Sequence, residues 1–304
     1  MSKAQRIREM NARQRIAAQQ AAARKAEARK RLFLAGGSVL AVIAIVVGLI
    51  IAKNVGSGSA APATATAAEI SQVSNQLASV PASTLNTVGA GSGVSHLQAT
   101  QGSPAALTSG GKPEILYVGA EYCPYCAAER WAMVVALSRF GTFSNLGLIH
   151  SSGSDVYKNT PTLSFHGSTY TSQYLDFQPV EWYSDKPAAK GGYTTLQAPT
   201  SAQMAIFTKY DAPPYVASST DSGSFPFIDI GNKYLDIGAQ YVPGNLAGLT
   251  WSQVASDIRN PSSSVAKEID GAANSLTAAI CKVIPNAPAS VCNSAAAQAG
   301  AGAL

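Results

Sequence analysis

The stretch Val118-Gly119-Ala120-Glu121-Tyr122-Cys123-Pro124-Tyr125-Cys126 decides how this chain is read. Before it, Glu114 to Tyr122 has the apolar run of a short buried strand centred on Ile115 to Val118; after it, Ala127 to Phe140 keeps helical spacing up to Gly141. A strand that turns directly into a helix leaves Cys123 at the helix N-terminus, where unpaired backbone N–H groups and the helix dipole favour negative charge. A thiolate is favoured over a thiol there, and the thiolate is the nucleophile of disulfide exchange. The expected roles follow: Cys123 attacks a substrate to form a mixed disulfide, and Cys126 resolves that bond from the more buried side.

The direction of such chemistry depends on compartment, and the N-terminus bears on that. Leu32 to Ala52 is a run of 21 uncharged residues, long enough for a tilted helix across a hydrocarbon core of roughly 30 Å. Residues 1–31 hold ten Lys or Arg against Glu9 and Glu27, whereas no Lys or Arg stands between Lys53 and Lys112. The positive-inside rule then predicts a cytoplasmic N-terminus, a single transmembrane helix over 32–52 and an extracytoplasmic remainder. A cleaved signal peptide is the competing reading, against which stand the length of the apolar core and of the charged leader. The net charge of +5 is no sign of nucleic-acid binding: residues 1–31 carry a surplus of eight positive charges, and the rest is acidic by three. The basic tail serves to fix topology and meet anionic lipid. All four cysteines fall outside the membrane on this topology, where disulfides persist.

The remainder divides by composition. Residues 53–111 are expected to be a flexible linker, Gly-, Ser- and Ala-rich, with a short amphipathic helix at about 69–80 carrying Ile70, Val73, Leu77 and Val80 on one face and ended by Pro81. Residues 112–292 make the main domain. Within it Leu146 to His150 and, more weakly, Tyr174 to Phe177 read as strands, Thr200 to Tyr210 as a helix, and Ser224 to Ile237 as a hairpin about Gly231-Asn232. Helices follow from Thr250 to Ile258 and from Pro261 onward, with Val265, Ile269, Ala272, Leu276 and Ile280 in register. Residues 293–304, Ala and Gly for the most part, are expected to form a flexible tail with nothing to bury.

The order of strand, Cys-x-x-Cys, helix, further strand and helix, then Phe225-Pro226 opening a hairpin before a terminal helix resembles the thioredoxin superfamily over roughly residues 112–260. The Pro124-Tyr125 dipeptide is the one glutaredoxins use, and the whole architecture is similar to a family of membrane-anchored thioredoxin-like proteins of archaea and actinobacteria. The resemblance implies an α/β thioredoxin-like fold with extra C-terminal helices and a cis Pro226 facing the thiols. It also implies a surface for protein substrates formed by Tyr122, Pro124, Tyr125, Phe225 and Pro226. The separation of 103 positions from Cys123 to Pro226 implies an insertion, helical as in disulfide-oxidase relatives. Where thioredoxins bury a carboxylate this chain has Tyr117, which cannot serve as that base, and Glu121 is expected to point outward. A bulky Phe225 suggests a groove for apolar unfolded segments.

Other residues admit blander readings. Glu129 either tunes Cys126 or sits on a solvated helix face, Trp131 has core spacing, and Tyr122 and Tyr125 either line the substrate surface or pack as half-buried aromatics. Cys281 and Cys292 are expected to form a structural disulfide at the end of the last long helix, with a redox relay as the alternative. Copper handling would need a His near the thiols, and His96, His150 and His166 all lie elsewhere in the sequence. No phosphate loop, HExxH or serine-nucleophile pattern is present, so no metal and no cofactor is expected. The function this supports is a membrane-anchored extracytoplasmic thiol-disulfide oxidoreductase that oxidises cysteines of secreted proteins, reoxidised, by the same resemblance, through a quinone-linked membrane partner. A reductase or isomerase, and a non-catalytic holdase, are the alternatives.

Overall fold

The computed structural model describes residues 64–304. It opens with helices α1 (Ala67–Ala78) and α2 (Ala82–Val88). The Thr66 hydroxyl caps α1 by accepting the Glu69 N–H at 3.2 Å, and Pro81 separates the two helices because its ring cannot continue the first. Val73 and Leu77 are buried, and Ile70 and Val80 pack beside them, as the amphipathic pattern predicts. The linker expected over 53–111 is corrected from residue 64 on: Leu85 of α2 and Leu97 join the same core, and the two-residue strands β1 (Gln98–Ala99) and β2 (Thr108–Ser109) pair with the sheet. The polar, Gly-rich composition hid a few buried leucines. The basic tail 1–31, the span 32–52 and residues 53–63 lie outside the described residues. Among those described, no helix is long and apolar enough to cross a membrane.

The remaining elements are β3 (Lys112–Ala120), α3 (Pro124–Leu137), β4 (Thr142–Ser144), β5 (Gly147–His150), β6 (Pro161–Ser164), β7 (Thr169–Thr171), β8 (Asp176–Pro187), β9 (Tyr193–Thr195) and α4 (Ser201–Tyr210). They continue with β10 (Phe227–Ile230), β11 (Tyr234–Ile237), α5 (Trp251–Asp257), α6 (Ser264–Val283), α7 (Ala289–Cys292) and α8 (Ala295–Gly300). The fold is mixed α/β. Its sheet runs β1-β11-β10-β3-β8-β9, with β2 also on β3. The β3/β8 pair is parallel and the other neighbours are antiparallel, and a parallel pair needs a long crossover, which here contains α3.

Alternation along β3 sorts the core. Leu116 and Val118 face one side with Val180, Phe207 of α4 and Phe227, while Ile115 and Tyr117 face the other with Trp131, Met133 and Leu137 of α3 and with Leu276 and Ile280 of α6. The β10/β11 hairpin turns as predicted at Gly231 and Asn232, both at positive φ (65° and 57°), in a three-residue connection completed by Lys233 between the paired Ile230 and Tyr234. Capping boxes start α4 at Thr200 with Gln203 and α5 at Thr250 with Gln253. The Pro213–Pro214 and Phe225–Pro226 peptides are cis.

Two expectations are overturned here. The insertion is not helical: between α3 and α4 the chain forms the small ladders β4/β7 and β5/β6 and the long β8. Turn formers recur there at short intervals, with Asn145, Asn159 and Gly167 all at positive φ, and leave no run long enough for a helix. Nor is 293–304 a free tail. Ser294 caps α8 through the Ala297 N–H at 3.2 Å, and Ala296 and Ala297 are buried. A Cβ on Gly300 would collide with the Asn274 carbonyl of α6, so the small side chains that looked inert are what lets two helices approach.

Candidate functional site

Cys123 is the N-cap of α3, in an extended conformation, and its Sγ accepts the Cys126 N–H at 3.4 Å. Pro124 occupies the first helical position, where a missing N–H costs nothing. As a thiol, Cys123 also donates to the Phe225 carbonyl at 3.7 Å, so the hairpin segment and the helix start meet at this sulfur. Cys123 is 7 % exposed and Cys126 not at all; both are free thiols. The two sulfurs are electrostatically unequal. The Cys126 thiol donating to Cys123, joined by backbone N–H groups of Cys126 and Tyr125 and by the charge of Arg130, holds Cys123 below the ordinary thiol value in spite of burial. Burial first, then the neighbouring Cys123, pushes Cys126 well above it. One thiol is thus poised to ionise and the other to stay protonated.

An aromatic collar surrounds the pair. Tyr122 stacks on Tyr193 with centroids 4.0 Å apart, and burial pushes its hydroxyl up to about 12. Tyr125 is 39 % exposed and meets Tyr157 edge-on at 5.9 Å. Phe225, half-buried, touches Trp182, Tyr183 and Phe207. Of the residues expected on the substrate surface, Tyr122 and Phe225 pack with the sulfurs and Tyr125 is exposed next to Cys126 in the chain, while Pro124 and Pro226 are buried. Tyr157, Trp182, Tyr183 and Tyr193 were not singled out by the sequence, because they arrive from the ladder region and from β8 and β9.

Under the thiols lies a buried charge cluster. Arg130 binds Glu181 through two bonds of 2.7 Å, Nε to Oε1 and Nη2 to Oε2, and Nη2 also donates to the Ala120 carbonyl at 2.8 Å. Both side chains are fully buried. Glu121 does not point outward as expected: it is buried, accepts the Ser164 hydroxyl at 2.6 Å, and burial raises its pKa. Counting by two from Tyr117 places Glu121 on the same inward face, a signal that was present in the sequence. Arg130 and Glu181 were missed. Arg130 had a signal, since it stands one helical turn after Cys126; Glu181 had none short of the β3/β8 register.

Glu129 does not sit on a solvated helix face. It is fully buried, accepts the Gln240 N–H at 2.9 Å, and is raised to about 7 by burial. Its carboxylate partner is Asp236. Trp131 packs in the core, donating its indole N–H to the Pro161 carbonyl at 2.9 Å.

Cys281 and Cys292 are joined in a disulfide between α6 and α7, Cα atoms 5.6 Å apart. The bridge packs on the large core, whereas Cys123 and Cys126 pack with Ala120, Tyr122, Tyr183 and Phe225. His150 lies against Trp251, and no cluster of three potential metal ligands occurs among the described residues.

With this geometry in hand, the chain belongs to the family described as Domain of unknown function (DUF929), which matches residues 98–282. That range takes in the thiols, the buried charge cluster, the Phe225-Pro226 segment and Cys281, and stops short of Cys292. No curated protein and no solved structure matches the chain.

Proposed function

We propose that this protein is a thiol-disulfide oxidoreductase of thioredoxin-like fold, anchored by residues 32–52 with its redox domain outside the cell membrane, and that it oxidises cysteines in secreted proteins. The observation that carries the reading is the placement of the Cys123 sulfur: capping a helix, accepting a backbone N–H, and meeting the Phe225 carbonyl. A substrate thiolate attacks Cys123 of the oxidised pair, and the Cys126 sulfur leaves as a thiolate. A second substrate thiolate then attacks the substrate sulfur of the mixed disulfide and expels Cys123. The substrate loses two electrons and the pair gains them. Oxidation is the favoured direction because stabilising the Cys123 thiolate stabilises the reduced protein, which makes its disulfide the stronger oxidant. Tyr122, Tyr125 and Phe225 offer rings against which an unfolded segment can lie.

The test is capture of substrates in cells. With Cys126→Ser the intramolecular return of a mixed disulfide to the Cys123–Cys126 pair is lost, and secreted proteins accumulate on Cys123 of the full-length chain; with Cys123→Ser they do not. Trapping by Cys123→Ser alone would reverse the two roles, and no trapping by either would count against exchange.

A further inference from the structure

Arg130 and Cys126 lie one turn apart on α3, both fully buried, so their side chains share a face. Glu181 and the Ala120 carbonyl hold Nε and Nη2 of the guanidinium, but Nη1 is buried without a partner. The Tyr117 hydroxyl is in the same condition: fully buried, with no hydrogen-bond partner. The Arg130 Cζ sits 5.9 Å from the Tyr117 ring centroid. Tyr117 reaches this place by lying along its own strand, since a Cβ on Gly119 would collide with its hydroxyl. The glycine therefore opens the way toward Ala120, which shares one packed cluster with Cys123 and Cys126. Buried donors without acceptors are uncommon and costly. Both groups are close enough to interact with Cys126, the Tyr117 hydroxyl as a hydrogen-bond donor to its sulfur once that ionises and Arg130 through its charge, so they form an arrangement of donors aimed at charge that develops only during reaction.

We infer that the Tyr117 hydroxyl and the Arg130 guanidinium form a preorganised site for the Cys126 thiolate, so that Cys126 ionises through stabilisation of its anion and needs no buried carboxylate base. Glu181 is the positioning residue that fixes the guanidinium. This rests on the redox reading above but not on its direction. When a substrate thiolate attacks Cys123, the Cys123–Cys126 bond breaks and Cys126 departs with the electron pair. In the reverse step the Cys126 thiolate attacks Cys123 of a mixed disulfide and expels the substrate thiolate. The same anion stands on both paths.

The experiment uses the full-length chain, reduced at Cys123 and Cys126 and mixed with oxidised glutathione. Acid quenching and mass analysis count the Cys123–glutathione mixed disulfide as Cys126 resolves it, across a pH series. Tyr117→Phe removes an unpartnered hydroxyl and keeps the ring, so folding is retained. A rise of about one unit in the Cys126 pKa cuts its thiolate roughly tenfold at neutral pH. The more basic thiolate is roughly threefold more nucleophilic, so resolution slows by roughly threefold. The pH–rate profile moves upward by about one unit, and Arg130→Lys moves it in the same direction. A Tyr117→Phe profile that is unchanged or displaced downward, while the parent forms and resolves the mixed disulfide, overturns the inference and leaves the redox reading intact. A parent chain that never forms the mixed disulfide overturns both.

Discussion

The two cysteine pairs of this molecule have the same atoms and opposite surroundings. Cys123 and Cys126 stand at the start of a helix, as free thiols, with backbone donors, a buried Arg130 and a collar of aromatic rings around them. Cys281 and Cys292 stand at the end of a helix, joined across a turn that contains Pro285 and Pro288, and pack against aliphatic core. The first setting favours an anionic sulfur and rims it with aromatic rings; the second leaves its sulfurs part-exposed, at a helix end that favours no negative charge. The comparison teaches that neighbours and helix polarity, more than cysteine count, separate a reactive pair from a brace.

The largest effect that sharpens this contrast is on exchange itself. Cys123→Ser should reduce thiol-disulfide exchange with a reporter protein to background, whereas the paired change Cys281→Ala with Cys292→Ala should leave the rate within about twofold, since only the first pair has an activated sulfur. Loss of exchange on removing the second pair would make it a relay. Next in size is the buried ion pair. Glu181→Ala strands a fully buried guanidinium and should cost about 3–5 kcal/mol in a denaturant titration; a cost below about 1 kcal/mol would mean that water or another acceptor reaches Arg130. Close behind, opening the Cys281–Cys292 loop should cost about 3 kcal/mol by loop-closure entropy, a loss of stability with no loss of chemistry.

The smallest effect concerns the polar layer between α3 and α6, where the Gln240 N–H meets Glu129 of α3 and its side chain meets Ser275 of α6. Burial raises Glu129 from 4.5 to about 7, and Asp236 beside it is also raised. A carboxyl group whose folded value lies above its unfolded one holds its proton more tightly when folded. Stability is then full below about 4.5, is lost as pH rises toward about 7, and levels off beyond. Thermal midpoints should fall across that window, and Glu129→Gln should flatten the fall; an unchanged slope would move the effect to Asp229, likewise raised to about 7 by burial, or to Asp270, raised to about 8.

How far the sequence could be read depended on whether a residue's meaning was local. The strand-to-helix turn at Cys123, the Gly231-Asn232 hairpin, the capping residues Thr200 and Thr250 and the period of α6 are all set by near neighbours in the chain, and they were legible. β8 was seen only at its first residues because Pro179, Glu181 and Asp185 look unsuited to a strand; Glu181 is tolerable there because Arg130, 51 positions earlier, neutralises it. The same distance hid the charge cluster. Ala296, Ala297 and Gly300 misled in the other direction: with no apolar bulk they gave no sign of burial, and it is their smallness that α6 requires.

The measurement that bears most directly on the central claim is the reduction potential of Cys123–Cys126 in the full-length chain, equilibrated against glutathione buffers with Cys281–Cys292 intact. Donation of disulfides to secreted proteins predicts a value near about −120 mV, where strong oxidants lie. A value near about −270 mV would contradict that direction and make the protein a reductase. A pair that never equilibrates with the buffer would contradict exchange altogether.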